Sequence, residues 1–206
     1  VAIFADILTL KEALEFDRNI KTESDFQLTS CCCPMWIGMI RKIYHQLMPH
    51  VPGAVSPMIA CGRTIKKLHP GAVTIFVGPC IAKKAEAREK DLQGAIDYVL
   101  TFEELQGMFD AKNIDFTTLE ADPEDGLNEG TSMGRGFAVG GGVAAAVVEA
   151  IKHIDPTREV QIEYGDGLRE CKKMLMMAKA GKRNGYLLEG MACPGGCVAG
   201  AGTITP

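Results

Sequence analysis

The sequence predicts an α/β protein built on parallel strands, and two observations carry that expectation. Short runs at 73–77, 96–100, 158–164 and 186–189 read as strands, with helical stretches between them, the alternation that builds parallel sheets. The runs at 73–77 and 186–189 each lead directly into a cysteine-bearing loop, and the carboxyl ends of parallel strands are where an open α/β sheet offers its ligand sites. With 206 residues, 47% of them hydrophobic and 23% charged, the chain is long and apolar enough for one sizeable core or two small lobes.

The same composition excludes several function classes. A formal charge of -4, from 22 basic and 26 acidic residues with no basic run, leaves no electrostatic footprint for nucleic acid. The longest apolar stretches, near 72–82 and 136–148, carry glycine or proline and fall short of the ~20 residues that span a bilayer, so no membrane partner is expected. Eight cysteines, three of them consecutive, fit sulfur ligands in a reducing interior better than a disulfide scaffold, which implies a cytoplasmic setting. Asp6 interrupts the opening apolar run and no basic leader precedes it, so no signal peptide is read. The start, without Met, reads as the middle of a domain, and an N-terminally incomplete domain over 1–206 is the expectation.

Taken in order, residues 8–16 form a first helix with Glu12 and Glu15 on one face, a spacing that a solvated surface explains equally well. Pro34 turns the backbone directly after Cys31-Cys32-Cys33, which makes that stretch a loop. Ile37, Ile40, Ile43, Tyr44 and Leu47 then recur at helical spacing to about Met48, and Pro49 and Pro52 end the helix. His45 and His50 fall on or just past it, as helix-end residues. Residues 53–57 are a loop and 58–68 a second helix, with Cys61 as a packing residue. After the strand at 73–77, Lys83, Lys84, Glu86 and Arg88 read as a charged helix face. Thr101 and Glu104 make a capping box for a helix to about Ala111, and the acidic, glycine-rich 120–136 is expected to be a loop. Gly140-Gly141-Gly142 lacks the lysine and hydroxyl of a phosphate loop, so tight packing ahead of a helix over 143–154 explains it. A strand at 158–164, a methionine-rich helix over 167–180 bearing Cys171, a basic turn and the strand at 186–189 complete the chain.

Three stretches concentrate the chemistry: Thr29-Ser30-Cys31-Cys32-Cys33-Pro34-Met35-Trp36, Gly78-Pro79-Cys80-Ile81-Ala82-Lys83-Lys84, and Glu189-Gly190-Met191-Ala192-Cys193-Pro194-Gly195-Gly196-Cys197. A Cys-x-x-x-Cys pair with thiols in two distant loops is not the paired-knuckle spacing of a zinc ribbon. In order and wording the three stretches resemble the signature loops of the iron-only (FeFe) hydrogenases. The resemblance implies two lobes with mainly parallel sheets flanked by helices, with the active site in the cleft between them.

It further implies an H-cluster domain. Cys33, Cys80, Cys193 and Cys197 would hold a 4Fe-4S cubane. Cys197 would bridge it to a di-iron subcluster bearing CO, CN and a dithiolate amine. Lys83 would face a cyanide and Met191 would pack beside the iron pair. Protons would travel through Glu12, Ser56, Glu15 and Cys32. The implied activity is reversible H2 oxidation and proton reduction by an anaerobic enzyme. The implied partners are hydrogenase maturation proteins and a ferredoxin or accessory-cluster electron donor or acceptor.

The departures are specific. One cysteine is extra: anchoring on Pro34 and Trp36 makes Cys33 the ligand and Cys32 the proton carrier, whereas anchoring on Thr29 and Ser30 gives Cys32 and Cys31 those roles. Gly78 stands where hydrogen-evolving members have Met, so the packing there should be looser or differently filled. Ala199-Gly200-Ala201-Gly202-Thr203 replaces the usual Gly-Gly-Gly-Gln-Pro. These departures are similar to a divergent, sensory branch, which would report hydrogen to a linked signalling domain. The competing readings are a hydrogenase-like protein carrying only the 4Fe-4S cluster, in cluster assembly or redox binding, and a structural zinc protein.

Overall fold

The computed structural model describes residues 1–20, 25–120 and 130–204, and its strands form two parallel sheets. The first has the order β1-β5-β4, with β1 at Gln27–Thr29, β4 at Gln161–Asp166 and β5 at Tyr186–Met191. The second pairs β2, Ile75–Val77, with β3, Tyr98–Leu100.

Alternation along β5 decides what covers each face of the first sheet, because successive strand residues point to opposite sides. Leu187 packs with Ala13 and Phe16 of α1 (Ala2–Asn19) and with Ala144, Val147 and Ile151 of α7 (Gly142–Ile154). Leu188 faces the other way, into a core shared with Trp36 and Ile40 of α2 (Pro34–Ile43) and with Met174 and Leu175 of α8 (Gly167–Lys179). Helices on both faces are what an all-parallel sheet requires. The second sheet is backed by α3 (Pro57–Leu68), whose Met58 and Ile59 pack on Ala95 and Ile96. Around it lie the single turn α4 (Lys83–Glu86) and α5 (Phe102–Ala111), and the Thr101–Glu104 capping box of α5 is formed as the sequence indicates.

Several boundaries differ from those read in the sequence. The first helix runs from Ala2 to Asn19 rather than over 8–16. The second ends at Ile43, and a 3₁₀ turn over His45–His50 follows, because Pro49 cannot continue an α-helical ladder. The strand read at 158–164 lies at Gln161–Asp166, and β1 was not foreseen. Within the expected loop at 120–136, residues 121–129 lie outside the described residues, and Ser132–Gly136 forms a short helix, α6. Thr131 caps it, accepting from Gly134 N at 3.1 Å, while its own hydroxyl and amide donate to Asp6 of α1 at 2.6 and 2.8 Å. Among the described residues no helix is long and apolar enough to cross a membrane.

The glycine-rich stretch before α7 acts by close approach. A Cβ on Gly142 would stand 2.2 Å from the Gly136 carbonyl, and one on Gly140 would meet the Tyr164 hydroxyl. Gly190 serves the core in the same way: Trp36, fully buried, lies flat on it, and a Cβ there would come within 2.4 Å of the indole. Gly190→Ala is therefore expected to lower unfolding stability by about 3 kcal/mol. Gly107→Ala, at an exposed and open position inside α5, should raise it by up to ~1 kcal/mol. Urea denaturation of the two variants checks both signs, and equal stabilities would remove the Trp36 contact as a constraint.

Candidate metal-cluster site

A cavity of about 290 Å³ lies between the two sheets, lined by Cys32 and Cys33 from the loop after β1, Cys80 and Lys83 from the loop after β2, and Met191, Cys193 and Cys197 from the loop after β5. Each loop has a local reason for its shape. Ser30 sits at φ +63°, a left-handed residue that turns the chain out of β1, and Cys33 N donates to its carbonyl at 3.0 Å. Cys33 is then the extended N-cap of α2, with Pro34 at the first helical position. Gly195 and Gly196, at φ +84° and +91°, fold the third loop back so that Gly196 N reaches the Cys193 carbonyl at 3.0 Å.

The loops are also tied to one another. Lys83 Nζ donates to the Cys32 carbonyl at 2.7 Å and to Glu86 Oε2 at 2.6 Å, joining the second loop to the first. Gly202 N donates to the Pro79 carbonyl at 2.9 Å, joining the third to the second. Asp166, at the end of β4, takes Gly195 N at 2.8 Å and the Tyr164 hydroxyl at 2.7 Å on a single oxygen, and Gly140 N donates to the Gly195 carbonyl at 3.1 Å. The space that Gly78 leaves is filled by the Phe76 ring, 2.8 Å from where a Cβ would stand.

None of the eight cysteines is in a disulfide. Among the described residues no three cysteine, histidine or carboxylate side chains gather closely enough to share one metal ion. Four thiolates on one zinc must crowd within bonding distance of a single centre, at about 2.3 Å each, whereas in a cubane each thiolate meets a different iron. The donors are thiols drawn from three loops onto one cavity, a set that a cluster of several irons can take one thiol per iron. The Ser30 hydroxyl, wholly buried beneath the first loop, lacks a partner among the described residues. Burial raises the proton affinity of the cavity thiols: Cys197 is pushed to about 12 by burial and by the neighbouring thiols of Cys33 and Cys80, and Cys193 and Cys32 also move up. Lys83 is pushed down by burial but carried above its ordinary range by Glu86 and by the Cys32 and Cys80 thiols.

The carboxylates stand on the opposite side of the first loop. Glu12 is buried, takes the Thr29 hydroxyl on Oε2, and lies 3.3 Å from the Cys31 thiol through Oε1. Burial pushes it up to about 7 against those two hydrogen bonds. Glu15 is one helical turn away and partly exposed, beside Lys11 at 3.6 Å and accepting from Gly53 N at 3.3 Å. From cavity to solvent the order is therefore Glu12 and then Glu15, the reverse of the order expected for the two. Ser56 is buried and caps α3, accepting from Ile59 N at 3.4 Å. Met191 Sδ lies 4.0 Å from Cys197 Sγ.

Three residues escaped the reading of the sequence. Glu189, fully buried on β5, accepts from Gly141 N at 3.1 Å and Ala144 N at 2.7 Å at the start of α7, and burial pushes it up to about 7. A carboxylate inside a buried strand was a usable signal. Glu86 was read as part of a charged face and as the closing residue of the second signature loop, but not as the partner of Lys83. Asp166 was not singled out in the sequence, since the loop backbone it holds lies 29 residues away.

Comparison with known proteins follows the same outline. Residues 1–201 match the family model that describes the C-terminal domain of the iron-only hydrogenase large subunit. The chain is 31% identical over 239 residues to the periplasmic Fe hydrogenase large subunit of Nitratidesulfovibrio vulgaris, covering 96% of this chain and 57% of that protein. It is 24% identical over 244 residues to the cytosolic iron-sulfur assembly component 3 of Pongo abelii, covering 95% of this chain and 51% of that one. The chain thus spans about half the length of these curated relatives. Among solved structures, a variant of the FeFe-hydrogenase HydA1 from Chlamydomonas reinhardtii superposes with a TM-score of 0.69 at 23% identity, over 100% of this chain and 69% of that one, a likeness of fold.

The buried carboxyls set a pH dependence. Folded Glu12 keeps its proton to about 7 while the unfolded chain releases it near 4.5, so the native state binds more protons in that window and stability falls as pH rises through it. Glu12→Gln in the metal-free protein should remove part of that slope and raise stability at pH 7.5 by up to ~3 kcal/mol, and adding Glu189→Gln should flatten it further. Urea denaturation at pH 5 and 7.5 is the measurement, and an unchanged slope in Glu12→Gln would show that Glu12 ionises without cost.

Proposed function

The chain belongs to the family of iron-only hydrogenase C-terminal domains, and from that premise we propose that it holds an H-cluster and interconverts dihydrogen with two protons and two electrons. Cys33, Cys80, Cys193 and Cys197 would hold the cubane, and Cys197 and Lys83 would hold the di-iron unit beside it. When bound, the di-iron unit with its carbonyl, cyanide and dithiolate-amine ligands supplies the redox and hydride chemistry.

The rest is done by side chains of this chain. Lys83 carries three N–H donors and spends two on Glu86 and the Cys32 carbonyl, which leaves one for an anionic ligand in the cavity. Met191 excludes water beside the Cys197 sulfur. Glu12, pushed up to about 7, can hold and release a proton at neutral pH. Protons then move between solvent and cavity by way of Glu15, Ser56, Glu12 and the adjacent thiols, with Cys31 touching Glu12 and Cys32 facing the cavity.

The observation that carries the reading is the buried Lys83 on the same cavity as Cys32 and the four ligands, since a bare cubane needs neither a free ammonium proton nor a fifth thiol. The second reading, a protein that holds only the cubane, is favoured by the relatives named for cytosolic iron-sulfur assembly. We read the setting as cytoplasmic, from free thiols throughout. Maturation proteins deliver the di-iron unit, a ferredoxin or accessory cluster exchanges electrons, and in a sensory member a linked signalling domain takes the output.

Infrared spectroscopy in the carbonyl and cyanide region, after loading the cubane and then a synthetic di-iron precursor, separates the readings, with a hydrogen assay alongside. Bands and turnover are expected. A filled cubane without bands would establish the cubane-only protein. Cys32→Ala should keep the cubane absorbance and lower turnover by at least about a hundredfold. Loss of the cubane in that variant would transfer the ligand role from Cys33 to Cys32.

A further inference from the structure

On the solvent side of the first sheet a polar cavity of about 520 Å³ opens between the end of α1, the start of β1 and the 3₁₀ turn. Glu15, Asp25, Gln27 and His50 bring it their polar groups and Arg18 a cation. Gln27, buried, donates through its amide to the Glu12 carbonyl at 3.2 Å, so the cavity floor lies against the backbone of the inner carboxylate. The Glu15 carboxylate is held by Gly53 N, three residues beyond His50.

His50 is held in this cavity from two directions. Its ring stacks on Phe26 with centroids 4.0 Å apart and planes 16° from parallel. Its Nδ1 stands 2.8 Å from Asp25 Oδ1 and 3.1 Å from the Phe26 carbonyl, and Asp25 Oδ1 is itself fixed by Phe26 N at 2.8 Å. Two acceptors on Nδ1 keep a proton there, and Nε2 is without a hydrogen-bond partner among the described residues.

We propose that His50, oriented by Asp25 and Phe26, is the residue that exchanges protons between solvent and Glu15 at the outer end of the path to Glu12. The inference rests on the proton path proposed above. The transfer is a bare proton movement: Nε2 takes a proton from water or buffer, passes it through cavity water to a Glu15 oxygen, and returns to neutral imidazole, with the Nδ1 proton unmoved. Imidazole suits the task because it is the side chain that both accepts and donates near neutral pH. Among the described residues the charged groups that line the cavity with it are Asp25, Glu15 and Arg18, and Lys11 pairs with Glu15. The cavity is also large enough to admit a small free base, which makes the role testable by substitution from solution.

The test needs no cluster. In the metal-free protein, a pH jump followed by infrared detection of the Glu12 carboxyl band, identified by its loss in Glu12→Gln, reports arrival of the proton. His50→Ala is expected to slow that arrival at least about tenfold, and added imidazole to restore it. His50→Gln, which keeps a donor toward Asp25, should be equally slow while melting at the wild-type temperature. Wild-type kinetics in both variants would overturn the proposal, as would a slowing that imidazole leaves unchanged, since that marks a purely structural residue. In loaded protein, His50→Ala should lower turnover with unchanged cyanide and carbonyl bands and recover with imidazole. Absence of bands or turnover in the wild type would instead overturn the hydrogenase reading, and the metal-free experiment would still decide the role of His50.

Discussion

The site depends on an ammonium held out of water. Removing a lysine charge from solvent costs several kcal/mol unless partners replace the lost hydration. Lys83 has two: the Glu86 carboxylate one turn along its own helix and the Cys32 carbonyl on the other side of the cavity. The first compensates the charge, and the second makes the compensation conditional on the loops after β1 and β2 lying side by side. An interaction that would be of little worth at the surface becomes a positional constraint when buried, because separating the loops would strand the ion pair.

The third loop is fixed by other means. Gly195 and Gly196 supply the left-handed backbone, while Asp166, Gly140 and Pro79 hold the loop from three directions through main-chain hydrogen bonds. This scaffolding involves no sulfur, so the shape of the loop does not depend on its thiols. Their protons are the cost: burial raises the affinity of Cys193, Cys197 and Cys32 for hydrogen, and a metal cluster must displace protons as it enters. Burial thus favours protonated thiols, which spares the cavity several repelling thiolates.

How much of this could be read from the residues follows from the range of the interactions. The cysteine loops were legible because Pro34, Gly195 and Gly196 write their backbone shape locally. Parallel pairing was legible from alternation, but β1 was not, since three residues carry no period and Gln27–Thr29 become a strand only through Leu187, Leu188 and Glu189. Ser132–Gly136 looked like loop because its stability comes from Thr131 gripping Asp6, 125 residues away. Asp166 was missed for the same reason, since the loop amide it holds lies 29 residues away, whereas Glu189 did carry a signal, a carboxylate inside a buried strand, although its partners are backbone amides.

The inserted cysteine shows where local reading ends and packing takes over. Sequence allowed two registers for the triple thiol, anchored before it or after it. In the fold the proline side is rigid: Cys33 is the N-cap of α2, Trp36 is locked on Gly190, and its indole nitrogen donates to the Thr29 carbonyl at 2.9 Å. Both anchors are thereby held at once, and the surplus residue must bulge between them. Ser30 takes the left-handed turn that lets it do so. Cys32 and Cys33 remain on the cavity, while Cys31 is turned to the far side and meets Glu12. An extra thiol so placed is off the cavity that the proposed ligands line. It lies between a carboxyl poised near neutral pH and the thiol at the cavity wall, so under the proposed hydrogenase reading the extra cysteine would bear on proton traffic and not on the proposed ligands.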